Sequence, residues 1–163
     1  PIPHYACSYD TSLIKPWADR KYTFSFVGAF ATHPVRQKVF DILKDREDCF
    51  VLDTGGWHFE STKDRQEYNR RRYIEILGDT KYSLCPRGTG PSTIRMWEAM
   101  AMNSWPIIIS DYLKVPSRLP LENKNWHKIT EKNIVTPLKL DVYDNTEYWF
   151  WFSNQNLYKS IIS

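Results

Sequence analysis

The chain has 163 residues, a formal net charge of +3, ten prolines, six glycines and 42% hydrophobic residues. That size and composition predict one folded domain and exclude a low-complexity linker. The sequence contains no run of about twenty apolar residues, so no part of it is expected to span a membrane.

The cysteines and the one basic run indicate no chemistry of their own. Cys7, Cys49 and Cys85 are too few and too widely spaced for a disulfide framework or a zinc motif. We therefore expect reduced, mostly buried thiols and no bound metal. The three arginines 70–72 lie among acids, as is typical of a solvated helix face, and we expect no nucleic-acid partner.

The first half of the chain predicts two strands and a helix after an extended lead-in over residues 1–20. Residues 22–27 alternate and are rich in β-forming side chains, so we expect a strand that ends at Gly28. A helix is expected from Pro34, because proline suits a first helical turn. Residues 50–53 predict a second short strand.

The second half predicts three helices and further strands. Residues 62–77 form a charged amphipathic pattern that predicts a helix. Gly78, as the first residue after this helix, is expected to end it. The elements that follow are a strand over 82–85, a loop over 86–90, a helix over about 91–102, a strand over 105–110, a short element within 126–134 and a C-terminal helix over 144–163. Asn103 is expected to end its helix in the left-handed conformation, and Pro106 to mark a strand start or edge.

This order of elements predicts an α/β fold, with a Rossmann-like parallel sheet that carries helices on both faces in a single domain of residues 1–163. In such sheets, ligands lie beyond the carboxyl ends of the strands. Gly28, Gly55 and Arg87 are all expected at that edge.

The segment after the third strand has the composition of a site for phosphate and ribose. Gly88 and Gly90 let the backbone approach an anion, and a helix that opens at about residues 91–93 would direct unpaired N–H groups at the same point. Arg87 adds a forked, permanent positive charge. Glu98, one to two turns into the helix, is placed to accept hydrogen bonds from a sugar diol.

Arg87 and Glu98 could also have a purely structural role. Arg87 could pair with Glu98 or Asp111 at the strand end, and Glu98 could pair with Arg95 on an exposed helix face. Their joint placement around a glycine turn favours the functional interpretation.

A second candidate edge follows the first strand. Gly28 permits close approach of a ligand or of a facing domain. Arg36 could reach a phosphate, although a helix-surface arginine is the commoner explanation. His33 is expected first as part of the helix cap and second as a polar contact to a substrate.

Three familiar motifs are missing. The sequence has neither G-x-x-x-x-G-K-[ST] nor G-x-G-x-x-G, which excludes a P-loop NTPase and the common dinucleotide fingerprint. It also lacks an Asp-x-Asp triplet. That disfavours a sugar transferase that holds its diphosphate through a divalent metal, and favours one that uses arginine and backbone amides.

Three segments, Cys85-Pro86-Arg87-Gly88, Arg95-Met96-Trp97-Glu98-Ala99 and Pro106-Ile107-Ile108-Ile109, resemble the exostosin family, glycosyltransferase family 47. Residues 26–28 and 33–36 resemble it too, so the likeness covers roughly residues 1–120. The family's usual Ala-Gly-Cys-Ile-Pro is replaced here by Met102-Asn103-Ser104-Trp105-Pro106.

The resemblance implies an inverting, metal-independent GT-B glycosyltransferase that uses a nucleoside diphosphate sugar, with uridine as the expected nucleoside and no further cofactor. This chain resembles the donor-binding half of such an enzyme. Carried over by motif, Pro86, Arg87 and Gly88 would face the diphosphate, Ser92 and Thr93 the phosphate end of the helix, Glu98 the ribose, and Gly28 and Arg36 the same cleft.

The resemblance also implies a glycan acceptor and an N-terminal Rossmann-like domain of the same protein, which would carry the catalytic base. Relatives work in the Golgi lumen, whereas the unpaired cysteines favour a cytoplasmic location for the chain as given. A non-catalytic scaffold domain that binds nucleotide-sugar or glycan is the alternative function, and a metal-dependent sugar transferase is a third.

Overall fold

The computed structural model describes residues 10–55, 62–114 and 126–131. Within these ranges the strands are β1 Tyr22–Val27, β2 Cys49–Leu52, β3 Thr80–Pro86, β4 Trp105–Ile109 and β5 His127–Ile129, and the α-helices are α1 Pro34–Leu43, α2 Lys63–Gly78 and α3 Arg95–Ala101. The helix expected over 144–163 lies outside the described residues, as do Cys7 and the first part of the lead-in.

The five strands form one sheet in the order β2-β1-β3-β4-β5, and every neighbouring pair is parallel. The predicted Rossmann-like α/β fold is therefore confirmed. The chain moves outward from β1 to β2 and then returns, so that β3 lies on the other side of β1. The strand order thus reverses between β1 and β3, and ligands of open α/β sheets bind at such a point.

Helices pack on both faces of the sheet, as predicted. Successive side chains of a strand point to opposite faces. Ile107 of β4 packs in one cluster with Val35 and Val39 of α1, whereas its neighbour Ile108 packs with Met96 of α3. α1 and α3 therefore cover opposite faces.

At the amino-terminal edge of the sheet, one arginine connects several segments of the chain. Arg20 is only 4% exposed, and its Nη1 donates to the carbonyl oxygens of Thr80 (2.7 Å) and Asn103 (2.6 Å). Its Nε donates to the Lys15 carbonyl oxygen at 3.0 Å. A single side chain thus joins the lead-in, the start of β3 and the turn before β4. Asn103 in that turn has the predicted left-handed conformation, with φ 51°.

The role predicted for Gly78 is wrong. Gly78 is the last residue of α2, Asp79 forms the cap, and the φ angle of Gly78 is not positive. A Cβ atom at Gly78 would overlap the carbonyl oxygen of Leu13, and the Lys15 N–H donates to the Gly78 carbonyl oxygen at 3.1 Å. Glycine is needed here because two backbones touch, not because the helix must stop.

The helix predicted from residue 91 begins later, at Arg95. The Ile94 carbonyl oxygen accepts the N–H groups of Trp97 (2.9 Å) and Glu98 (3.2 Å), and the Thr93 hydroxyl accepts the Arg95 N–H at 3.4 Å. Residues 91–94 therefore form a turn that precedes the helix. The predicted array of helical N–H groups at residues 91–93 is not formed.

Pro106 was expected either to mark the start of a strand or to lie in an edge strand. It lies next to the start of β4, which is not an edge strand. β4 lies between β3 and β5, and Pro106 is its second residue, opposite Ser83. All five residues of β4 are buried, which explains the unbroken apolar sequence of this strand.

The remaining composition-based expectations concern the surface and the thiols. Cys49 and Cys85 are free, half-buried and buried respectively. Burial raises the pKa of Cys49 to about 11 and that of Cys85 to about 12, so both thiols are protonated at neutral pH. The arginines 70–72 are exposed on α2, as predicted. None of the helices in the described ranges has the length and apolar character needed to cross a bilayer.

Candidate functional site

The candidate site lies at the carboxyl edge of the sheet, where the strand order reverses. Gly28 follows β1 and Arg87 follows the adjacent β3, so the two loops are neighbours. Gly55 follows β2 at the same edge. The topology thus confirms the predicted placement of Gly28, Gly55 and Arg87 at the carboxyl edge.

Arg36 joins the two loops. Its Nε donates to the Arg87 carbonyl oxygen at 2.9 Å, and its Nη1 donates to the Ala29 carbonyl oxygen at 2.8 Å. Although Arg36 is in the first turn of α1, it is only 8% exposed. The explanation as a helix-surface arginine is therefore wrong, because α1 starts at the loop after β1 and turns this side chain into the edge of the sheet.

Two glycines provide space for arginine side chains. A Cβ atom at Gly88 would lie 3.0 Å from Nη2 of Arg36. A Cβ atom at Gly28 would lie 2.5 Å from Nη2 of Arg95. The sequence analysis attributed both glycines to the approach of a ligand, whereas the structure shows that each one first accommodates a guanidinium.

Arg95 is the site residue that the sequence analysis missed. Its guanidinium carbon lies 5.1 Å from the centre of the Phe26 ring, and that of Arg36 lies 5.7 Å from the same centre. The buried Nε of Arg95 has no hydrogen-bond partner among the residues that the structure describes. From the sequence, Arg95 was named as a possible partner of Glu98 and as part of a family-like segment but was given no role in the site, and no pattern of spacing connects it to β1.

The electrostatics of this pair are unusual. Burial, reinforced by the charge of Arg95, lowers the pKa of Arg36 to about 10, so Arg36 stays protonated at neutral pH. Among the residues that the structure describes, no carboxylate forms an ion pair with Arg36 or with Arg95. The carboxyl edge therefore holds two neighbouring positive charges that lack a counter-ion within the described part of the chain.

Arg87 has a partner that the sequence did not indicate. Its Nε donates to the Gly88 carbonyl oxygen (3.3 Å) and its Nη2 donates to that of Thr89 (3.1 Å). Its Nη1 lies 3.6 Å from Oε1 of Glu131, which forms an ion pair, and its guanidinium stacks over the exposed ring of Tyr112. The carbonyl oxygens of the turn thus orient Arg87, and the carboxylate of Glu131, which follows β5, neutralises its charge.

Glu131 connects three loops at this edge. Its Oε2 lies 3.9 Å from Nε2 of His33. Its Oε1 accepts the Asp111 N–H at 3.4 Å, while Oδ1 of Asp111 accepts the Glu131 N–H at 3.0 Å. The Nδ1 atom of His33 accepts the Val35 N–H at 3.3 Å, so the predicted helix cap is confirmed. Nothing in the sequence near Glu131 suggested this position.

Glu98 of α3 is hydrogen-bonded to the neighbouring helix α2. The Tyr73 hydroxyl of α2 donates to Oε2 of Glu98 at 2.6 Å. The alternative of an Arg95–Glu98 ion pair is not found among the ion pairs of the described residues. The contact of Glu98 to ribose therefore stays a prediction.

The other predicted residues lie in or beside the loop after β3. Pro86 is the buried last residue of β3. Ser92 is exposed in the turn before α3, and Thr93 is buried beside it. Within 10–55, 62–114 and 126–131, no group of three or more His, Cys, Asp or Glu side chains is placed to hold a metal ion.

Comparison with known proteins identifies the family of the chain. Residues 1–131 match the Exostosin GT47 domain, and the matched range contains every residue of the edge described above. The ribitol-5-phosphate xylosyltransferase 1 of Danio rerio is 28% identical over 93 residues, which are 55% of this chain and 20% of that protein. The chain thus aligns with only a fifth of this relative's length. Because the family match covers most of the sequence, the chain belongs to the exostosin GT47 family of glycosyltransferases.

Proposed function

We propose that this chain is the donor-binding part of an inverting glycosyltransferase. In this proposal the enzyme takes a sugar from a uridine diphosphate donor, without a metal ion, and transfers it to a hydroxyl group of a glycan. The observation that carries the proposal is the pair of neighbouring guanidiniums of the buried Arg36 and the half-buried Arg95 at the point where the strand order reverses.

A buried cation without a counter-ion is costly, and a second one beside it adds repulsion. A diphosphate would supply the missing negative charge, and its oxygens would accept hydrogen bonds from the free Nε of Arg95. Arg87 adds a third guanidinium, whose contact to Glu131 at 3.6 Å is longer than a hydrogen bond. Phosphate oxygens can therefore replace this carboxylate at Arg87.

The same arrangement suits departure of the diphosphate. In the proposed step an acceptor oxygen attacks the anomeric carbon of the donor from the side opposite the diphosphate. The new carbon–oxygen bond forms as the bond to the β-phosphate oxygen breaks, which inverts the configuration. The leaving oxygen keeps the electron pair, and Arg36, Arg87 and Arg95 stabilise the growing charge there in place of a metal.

A base must take the proton of the acceptor hydroxyl. We place this base on an N-terminal Rossmann-like domain of the whole protein, which would close over the donor. The alternative is a non-catalytic scaffold domain that binds nucleotide-sugar or glycan. Transfer by the whole protein in the presence of a chelator would support the enzyme and its metal independence. Donor binding without transfer by the whole protein would support the scaffold.

Replacement of Arg87 by alanine is expected to weaken the binding of uridine diphosphate by about tenfold or more, because one charge-assisted contact to phosphate is lost. Isothermal titration calorimetry on the 163-residue chain measures this effect. Arg71→Ala is the matched control, since Arg71 is an exposed arginine on α2 whose contact is an ion pair with Glu75 on the same helix. The control variant should bind like the unchanged chain.

The site assignment is wrong if the unchanged chain binds neither uridine nor guanosine diphosphate, or if Arg87→Ala and Arg71→Ala bind equally well. Thermal stabilisation by a panel of nucleotide-sugars then identifies the donor. Uridine diphosphate xylose is the first sugar to test, because the zebrafish relative is named as a xylosyltransferase.

A further inference from the structure

The sequence assigned no function to α2, yet this helix holds the proposed ribose ligand. The hydrogen bond from the Tyr73 hydroxyl to Glu98 is short, at 2.6 Å, and joins residues that are 25 positions apart. A phenol that donates to a carboxylate restricts the rotation of that side chain and fixes where its remaining lone pairs point. Tyr73 therefore contributes to the orientation of Glu98.

The same side of α2 carries a second polar group without a clear structural purpose. Asn69 precedes Tyr73 by four positions, which places both side chains on one face of the helix. Asn69 is 7% exposed and is the one buried residue between positions 62 and 72. Within the described part of the chain, the Nδ2 atom of Asn69 has no hydrogen-bond partner. A buried amide in that condition is destabilising unless an acceptor reaches it.

The position of these groups relative to the edge follows from chain direction. α2 and α3 each lead into the amino end of a strand, β3 and β4, so their first turns lie near the carboxyl edge of the sheet. Asn69 is one turn nearer to that edge than Tyr73, just as Arg95 is one turn nearer than Glu98. Asn69 is the seventh of the sixteen residues of α2 and so lies near the middle of that helix, whereas Arg95 is the first residue of α3.

We propose that the face of α2 with Asn69 and Tyr73 is one wall of a ribose subsite, and that Tyr73 is the positioning residue of Glu98. This inference rests on the proposed function, because it assumes a nucleoside diphosphate donor. An ionised carboxylate offers about four acceptor sites. Tyr73 fills one of them on Oε2, and in this proposal the 2′- and 3′-hydroxyl groups of ribose donate to the same carboxylate.

The test compares ligands that differ only in the ribose part. Calorimetry on the 163-residue chain and its Tyr73→Phe variant uses uridine diphosphate, 2′-deoxyuridine diphosphate and inorganic pyrophosphate. We expect Tyr73→Phe to weaken uridine diphosphate about five- to tenfold, since one hydrogen bond to a charged group is lost. The loss should be smaller for the deoxy ligand and absent for pyrophosphate. Ratios between ligands are insensitive to any loss of folded protein.

The same substitution in a chain without Glu98 separates an effect of Tyr73 on the orientation of Glu98 from an effect on packing. In a Glu98→Ala chain, Tyr73→Phe should no longer change the affinity for uridine diphosphate, because the group that Tyr73 orients is gone. Equal weakening of all three ligands by Tyr73→Phe, or no weakening of any, overturns the positioning role while the donor site stands. If the unchanged chain binds none of the three ligands, both the proposed function and this inference are overturned.

Discussion

Replacement of Gly28 by alanine is expected to weaken the binding of uridine diphosphate by about 10- to 100-fold while the fold persists. The new Cβ would lie 2.5 Å from Nη2 of Arg95, closer than real contacts allow, so the guanidinium must leave its place over the Phe26 ring. The end of a flexible side chain can move at little cost, and the backbone around Gly28 is unaffected. A charge-assisted hydrogen bond to the ligand, worth about 1.5–3 kcal/mol, is lost.

The measurement is calorimetry with uridine diphosphate, together with the melting temperature of each variant. Arg95→Gln alone should weaken binding by a similar factor. In the Gly28→Ala, Arg95→Gln double variant the two losses should not add, because both act through one guanidinium. Fully additive losses would show that Gly28 serves the ligand directly, as the sequence suggested, and not through Arg95.

Replacement of Gly78 by alanine is expected to destabilise the protein, although it lies in a helix. Within helices alanine is ordinarily favoured over glycine by roughly 0.5–1 kcal/mol. Here the added methyl group would overlap the backbone carbonyl of Leu13, which cannot rotate away as a side chain can. Overpacking of this kind costs about 1–3 kcal/mol, and each kcal/mol lowers the melting temperature by about 2–4 °C in a chain of this size.

Scanning calorimetry checks this prediction against Gly90→Ala, which places a methyl group in open space in an exposed turn. Gly90→Ala should melt within about a degree of the unchanged chain, because surface substitutions away from packed features usually change stability by less than about 0.5 kcal/mol. A higher melting temperature for Gly78→Ala than for the unchanged chain would mean that the lead-in does not pack against the end of α2.

Local patterns were sufficient to predict the elements that depend on local interactions. β1 was predicted at residues 22–27 and α1 from Pro34, because strand alternation and the His33 cap are written into neighbouring residues. The left-handed turn at Asn103 followed in the same way. The order of these elements then predicted the parallel sheet, since each helix between two strands demands a crossover.

The parts that could not be predicted depend on contacts between distant positions. Arg95 reaches Gly28 across 67 positions, and Glu131 reaches Arg87 across 44. No periodicity in either segment records those contacts. Gly28 and Gly78 were recognised as special, but the sequence could not distinguish a glycine that bends the chain from one that yields space to another group.

Because of Arg20, the amino-terminal edge of the sheet is fixed separately from the carboxyl edge, where the candidate site lies. It fixes the amino-terminal ends of β3 and β4 through carbonyl oxygens, independently of the side chains at the opposite edge. Strand register is thereby held from one side, while the loops after β1, β3 and β4 remain open to change. Substitutions in those loops are therefore expected to leave the arginine that aligns the strands in place.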